Sequence, residues 1–320
     1  MTDHRILACL KGIAIGDAIG KQTENLSRED VLHWYPNAVH GFEGLPGTPI
    51  PRYVGNRKRE WLIGETTDDT ERTIAVARAI IRDSEVSHAS IGRELLTCRK
   101  CVHPGIQSLW EFHQAGDPAR VAERHDGCGA AVRVAPVGIL YSSERLADLV
   151  AAARESSIPT HGGILAIAAA AATAAAVSAA LDGLSPTAII EVAQRAAAMT
   201  ERERSGSAVI FSNAVRAVHQ DLTQWRELRA AEVAAKYFPN GPLTIVPLAL
   251  ALATIADSAK EAILLAANIG GDSDSVASIA GGILGARYPD TLPAEWYGVV
   301  ETVNGHDLVA IADSLEALRR

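Results

Sequence analysis

Aromatic residues are scarce in this chain, at 5% of its 320 positions. A β-sandwich of that length draws on aromatics as well as Val, Ile and Thr to fill its pleated faces, so the shortage argues against one. Cysteine is scarce too: Cys9, Cys98, Cys101 and Cys128 are the whole complement. Four in so long a chain make no disulfide framework and fit a reducing compartment. Positive charge is in deficit, with 30 Lys and Arg against 38 Asp and Glu and a net charge of −8. Proteins that bind nucleic acid by neutralising phosphates carry the opposite balance, so nucleic acid is not expected as a partner. The opening residues, MTDHRILACLKG, lack a basic stretch followed by a long apolar run and a small-residue cleavage site, so they do not read as a secretory signal. Residues 162–181 carry no charge, yet eleven of the sixteen residues 165–180 are alanine, which favours bilayer insertion far less than Leu, Ile or Phe. They read as a buried helix. The chain is expected to be soluble, reduced and cytoplasmic, with no membrane partner.

What is present is helical periodicity. Hydrophobic residues make up 48% of the chain, and the large alanine share suits closely packed helices. His4–Ile19 places Ile6, Leu10, Ile13 and Asp17 at spacings of three and four, which puts an acid on an apolar stripe. Further helices are expected at Asp69–Asp83, Ser87–Cys98, Pro104–Ala115, near Asp117–His125, and at Glu144–Arg154, His161–Leu181 and Pro186–Ala198. The series continues with Gly206–Asp221, Glu227–Tyr237, Pro247–Ala256, Ala259–Ala267, Ser273–Ala286 and Asp307–Leu318. Residues 21–66 hold no usable period and are rich in proline and glycine, as in GFEGLPGTPIPRYVG. Such a segment reads as a lid or binding loop. With no repeat and no linker between distinct halves, the reading is one all-α domain.

Two acidic clusters are placed alike. Gly64-Glu65-Thr66-Thr67-Asp68-Asp69-Thr70 stands directly before the apolar period Ile74, Ala77, Ile80, Ile81. Gly270-Gly271-Asp272-Ser273-Asp274-Ser275 stands before Val276, Ile279, Ala280, Ile283. Each sets carboxylates and hydroxyls at a helix N-terminus, where the dipole favours the ionised form. The plainer reading is N-capping, which Asp, Ser and Thr do well. Capping needs one such side chain, however, and each cluster offers several. If the two face each other they form a cage of hard oxygens suited to Mg²⁺, Mn²⁺ or Ca²⁺.

With the clusters come Gly16-Asp17-Ala18-Ile19-Gly20 followed by Glu24, the run Gly127-Cys128-Gly129-Ala130-Ala131-Val132-Arg133-Val134-Ala135-Pro136, and Thr160-His161. After the second cluster come Ala280-Gly281-Gly282, Gly285-Ala286 and Leu292-Pro293-Ala294-Glu295-Trp296. In this order, over nearly the whole chain, they resemble the ADP-ribosylglycohydrolase family, which includes the dinitrogenase-reductase-activating glycohydrolases and the ADP-ribosyl-acceptor hydrolases. The resemblance implies an all-α, single-domain orthogonal helical bundle with a metal-containing cleft. It also implies hydrolysis of the glycosidic bond at the anomeric carbon of ADP-ribose, with an ADP-ribosylated protein as substrate and arginine as the conventional acceptor. Two Mg²⁺ ions are implied, with Mn²⁺ as a substitute. One ion would be held by Thr67, Asp68, Asp69 and Asp274, the other by Asp272, Asp274 and Ser275. Asp69 and Asp272 are also implied as catalytic carboxylates, and Glu24 as the group that orients water or accepts its proton. Its plainer reading is a solvated loop glutamate. Asp17 is expected to brace the core.

Gly127, Cys128, Gly129, Ala130 and His161 are the implied substrate contacts, since backbone N–H groups in a glycine turn can approach an anion. Cys128 stands where the family usually has asparagine, and a thiol cannot replace both functions of an amide. That departure keeps open a smaller ribosylated metabolite as substrate, and a third reading is a non-catalytic ADP-ribose or nucleotide sensor. Cys98, Cys101 and His103 resemble half a zinc site, but the ligand set is incomplete. Arg52, Arg57, Lys58 and Arg59 form a basic group in the lid, where a substrate phosphate could be met or where they are simply solvated.

Overall fold

A computed structural model describes residues 4–203 and 209–320. In chain order the helices are α1 (His4–Gly20), α2 (Arg28–Trp34), α3 (Asp68–Asp83), α4 (His88–Leu95), α5 (Gln107–Ala115), α6 (Gly129–Val132), α7 (Ala135–Leu140), α8 (Leu146–Ser157) and α9 (Ile164–Leu181). They continue as α10 (Pro186–Arg202), α11 (Ile210–Leu222), α12 (Ala230–Tyr237), α13 (Ile245–Ile255), α14 (Ala259–Ile269), α15 (Ser273–Arg287), α16 (Ala294–Asn304) and α17 (Leu308–Glu316). Among the described residues there is no sheet, only a single bridge between Pro49 and Leu62. The architecture is all-α, as the sequence predicts.

Helix α9 is the centre. It is long and apolar enough to cross a membrane, but 89% of it is buried inside the protein. Its alanines let α8, α10 and α15 pack closely around it, because a methyl side chain keeps helix axes near and loses no rotamer freedom.

The second organising contact joins α1 to α15. Gly12, Gly16 and Gly20 recur every fourth residue and so line one face of α1. A Cβ on Gly16 would lie 2.2 Å from the Ala277 carbonyl oxygen, and one on Gly20 would lie 2.4 Å from the Asp274 Cα. The two backbones touch, which sets the start of α15 directly against the end of α1. This contact brings the second acidic cluster to the motif that contains Asp17 and Glu24.

Several elements depart from expectation. Asp117–His125 is not helical. After a turn closed by Arg120 N and Asp117 O, it runs against the α8–α9 link, with Ala122 N donating to Ile158 O at 2.7 Å and Gly162 N to Arg124 O at 2.8 Å. Gly162 and Gly163 are likewise outside α9, which starts at Ile164 because Asp126 caps it, accepting from Leu165 N at 2.8 Å. Residues 206–208 of the expected helix Gly206–Asp221 lie outside the described residues, and α11 begins at Ile210. Helices α2, α6, α7 and α16 are too short, or too rich in Pro and Gly at their borders, to show a period. The segment 21–66, expected to be irregular throughout, contains α2 and a 3₁₀ turn at Pro51–Tyr53; its remainder is irregular and carries its own small core of Ile50, Trp61 and Ile63.

Candidate active site

Helices α3 and α15 both point their N-termini into one cleft of about 550 Å³, and the two acidic clusters form one of its walls. Ser275 Oγ donates to Asp69 Oδ2 at 3.0 Å, so the clusters meet across 206 residues of chain. Each is braced from behind. Asp17 is fully buried and accepts from Thr67 N at 2.9 Å and from Thr70 N at 3.1 Å, so it caps α3 from another helix. Thr67 Oγ1 accepts from Asp69 N at 3.1 Å. The second loop is held by Pro239, whose carbonyl accepts from Asp272 N at 2.7 Å, and by a reciprocal pair, Asn25 N to Gly271 O and Gly271 N to Leu26 O. Gly270 and Gly271 have φ of +84° and +65°, and a Cβ on either would meet the Leu26 or Pro239 carbonyl within 2.5 Å. Only glycine fits there.

The electrostatics are severe. Burial pushes the Asp69 carboxyl well above the usual range, and the neighbouring Asp17 and Asp272 carboxylates add to it, with the Ser275 hydrogen bond offsetting part. Asp274 is likewise pushed well up, first by burial and then by Glu24 and Asp272. Asp274 Oδ1 is buried and has no hydrogen-bond partner among the described residues. Asp68 is ion-paired with Arg72, which lies one turn further along α3 and is itself buried. Among the described residues no set of three or more His, Cys, Asp and Glu side chains stands arranged to hold a metal ion. The donors are nonetheless all hard oxygens, and an orphaned carboxylate oxygen among crowded acids fits a divalent cation.

Glu24 also lines the cleft. Its carboxylate pairs with Lys21, a buried lysine whose ammonium sits 4.2 Å from the centre of the Trp61 ring. Arg52 clamps the same loop, donating to the carbonyls of Gln22 at 2.9 Å and Glu24 at 2.6 Å. Arg59 pairs with Glu65 and stacks on Trp61. Arg52 and Arg59 of the lid's basic group therefore tie down the lid, while Arg57 and Lys58, like Arg59, are exposed.

Gly127, Cys128 and Gly129 form another wall with His161. Burial, with Arg133 and Arg72 nearby, holds His161 well below the usual histidine range, so it is neutral. Thr160 Oγ1 accepts from Arg133 at 2.8 Å and lies 2.7 Å from His161 Nδ1. On the other side of the ring, His161 Nε2 lies 3.4 Å from Ser108 Oγ. A Cβ on Gly129 would come within 2.9 Å of His161 and 3.3 Å of Arg72. That glycine makes room for two side chains as well as for a ligand. Cys128 Sγ donates to Asp272 Oδ2 at 3.4 Å, and burial beside Asp272 and Asp69 keeps the thiol protonated.

The sequence model of the ADP-ribosylglycohydrolase family matches residues 1–320. The chain belongs to the ADP-ribosylglycohydrolase family. The uncharacterised protein YegU of Escherichia coli is 30% identical, the alignment covering 90% of this chain and 89% of that one. ADP-ribosylhydrolase ARH3 of Mus musculus is 26% identical over 96% of this chain and 90% of its own. The ADP-ribosyl-[dinitrogen reductase] glycohydrolase of Rhodospirillum rubrum is 24% identical, with 98% and 96% covered. A solved structure titled ADP-ribosylglycohydrolase-related protein complex shares the fold, with a TM-score of 0.70 at 23% identity over 99% of this chain and 98% of that one.

As a member of the ADP-ribosylglycohydrolase family, the chain is a hydrolase of that type. Asp68, Asp69, Asp272, Asp274, Ser275, Glu24, Gly127, Cys128, Gly129 and His161 all line the one cleft. Thr67 and Ala130 are buried behind it. The sequence reading missed Arg72, Ser108 and the Phe238-Pro239-Asn240 turn, which also line it. Arg72 carries a signal that could have found it. It sits four residues after Asp68, on the same helical face.

Proposed function

We propose that the protein is a cytoplasmic, Mg²⁺-dependent hydrolase that cleaves the bond between the anomeric carbon of ADP-ribose and a protein side chain, arginine first among the acceptors. The observation that carries this is the meeting of the two acidic loops, with Asp274 Oδ1 left unpartnered beside Asp69 and Asp272. A divalent ion held there supplies positive charge and Lewis acidity toward the ribose hydroxyls. On the ligand set that the resemblance implies, Thr67, Asp68, Asp69 and Asp274 would hold one such ion, and Asp272, Asp274 and Ser275 a second. Glycosidic cleavage passes through an oxocarbenium-like state whose water nucleophile needs a base. Glu24 serves as that base: it lines the cleft, where it pairs with Lys21, and Arg52 keeps its loop against the cleft. The N–H groups of the Gly127–Ala130 turn are donors for a ribose or phosphate oxygen, with the His161 ring beside them as a polar partner.

One observation favours a second reading. Cys128 donates to Asp272 and a thiol cannot replace both functions of an amide, so a distal contact of ADP-ribose is weakened, and a smaller ribosylated metabolite remains a candidate substrate.

A mass-spectrometric screen tests both. ADP-ribosyl-arginine and ADP-ribosyl-serine peptides and free ribosides are incubated with the protein, with Mg²⁺ or EDTA. Mg²⁺-dependent release of ADP-ribose from the arginine peptide is expected. Turnover of free ribosides alone would move the assignment to the smaller substrate, and turnover unaffected by EDTA would remove the metal from it.

A further inference from the structure

The resemblance to the family implies two ions, yet the two acidic loops are not equally free to bind one. Asp68 and Arg72 stand at i and i+4 on the first turns of α3, and their side chains form an ion pair inside the cleft wall. Arg72 is 3% exposed and Asp68 is 8% exposed, so the pair is largely out of water. The guanidinium has nowhere cheap to go. Its Nε already lacks a partner, Arg133 is a second buried cation nearby, and His161 is the other side chain that crowds Gly129. Moving Arg72 off Asp68 would leave a buried cation uncompensated, which is the costly way to break such a pair. Asp274 has the opposite standing. It is 5% exposed, its Oδ1 has no partner, and it lies in the wall of the same cleft.

We infer that the Arg72 guanidinium takes the place of one of the two cations, so that the cleft binds a single divalent ion, on Asp69, Asp272, Asp274 and Ser275, while Asp68 serves Arg72. This rests on the metal-dependent reading above and corrects its ligand set.

The test is a count of ions. The full chain is stripped with EDTA, dialysed and titrated with Mn²⁺, with free Mn²⁺ read by its electron paramagnetic resonance signal. The wild type is expected to bind one Mn²⁺ per chain and to show no exchange-coupled pair. Arg72→Met keeps an unbranched apolar side chain of similar reach and removes the charge. It should bind two, with a coupled-pair spectrum. Arg72→Lys keeps the charge and should stay at one. Two ions in the wild type would overturn the inference and leave the metal-dependent hydrolase intact. One ion in a folded Arg72→Met, checked by circular dichroism, would also overturn it. No Mn²⁺ bound by the wild type would sink the metal reading itself. If Arg72→Met fails to fold, the wild-type and Arg72→Lys counts still decide.

Discussion

The 64–70 loop and the 270–275 loop look alike as strings of glycine, hydroxyl and carboxylate at the head of a helix, and they are neutralised differently. In the first, Asp17 satisfies the backbone of Thr67 and Thr70, and Arg72 answers Asp68. In the second, Asp272 takes only a thiol, and Asp274 keeps an oxygen with no partner. Lys21 offsets part of the Asp274 shift but is itself paired with Glu24. The comparison teaches that a helix-start signature locates carboxylates without telling which carry their own counter-charge. That depends on one residue a turn away.

The sharpest way to break the comparison is to remove one carboxylate from each loop. Asp274→Ala should abolish ion binding and lower activity by roughly three orders of magnitude, a loss of several kcal/mol of charge stabilisation. In EDTA its melting temperature should hold or rise, because an unpartnered buried acid has gone. Asp68→Ala should behave in reverse, retaining the ion but losing roughly 3–5 kcal/mol of stability as Arg72 is stranded. Equal melting behaviour of the two variants in EDTA would erase the distinction.

A second measurement separates the ion from the base. Glu24→Gln should lower kcat by about 10²–10⁴ while Mn²⁺ affinity stays at the wild-type value. A near-normal kcat would pass the proton to an aspartate of the cleft.

A smaller effect concerns the thiol on Asp272. Cys128→Asn should tighten ADP-ribose several-fold by calorimetry, since one neutral hydrogen bond contributes roughly 0.5–1.5 kcal/mol. Unchanged affinity would mean that this position does not read the ligand.

The smallest effect is on the outer side of the first loop. His306 Nε2 lies 2.8 Å from Thr66 Oγ1, and burial, helped by Lys100, lowers its pKa from 6.5 to about 4. The unfolded chain therefore takes up a proton before the folded one does, so stability is complete above 6.5 and falls as pH drops toward 4. The second loop has no such histidine among its hydrogen-bond partners. A melting series over that range should show a drop that His306→Gln flattens; an identical slope in both proteins would remove His306 from the account.

Much of the helical order was legible because apolar residues recur with a helical period over long stretches, as in α3 and α10, and because α9 is a long alanine-rich run without charge. Elements below two or three turns were not. Helix α2 depends on Ser27, whose hydroxyl accepts from Asp30 N at 3.1 Å, and on its docking against α14. The stretch 117–125 has helix-compatible residues but pairs with the α8–α9 link, because Asp126 is needed to cap α9. The preferred structural role of Asp17 was readable from its place on an apolar stripe. The fate of Arg52 was not: its partners are three backbone carbonyls of a distant loop, Lys21, Gln22 and Glu24.

By itself the sequence determined the fold class, through composition and period, and the identity of the acidic groups, through two local motifs at helix starts. Both are short-range properties, set by neighbours within a turn or two. Tertiary structure alone decided that the motifs meet. The glycine face of α1 lets α15 approach until Gly20 touches Asp274, and that contact carries Asp274 to Asp69. It also decided which acids lack a counter-charge. Burial turns a solvated carboxylate into one that must find a proton or a cation, and burial is a property of the whole packed chain.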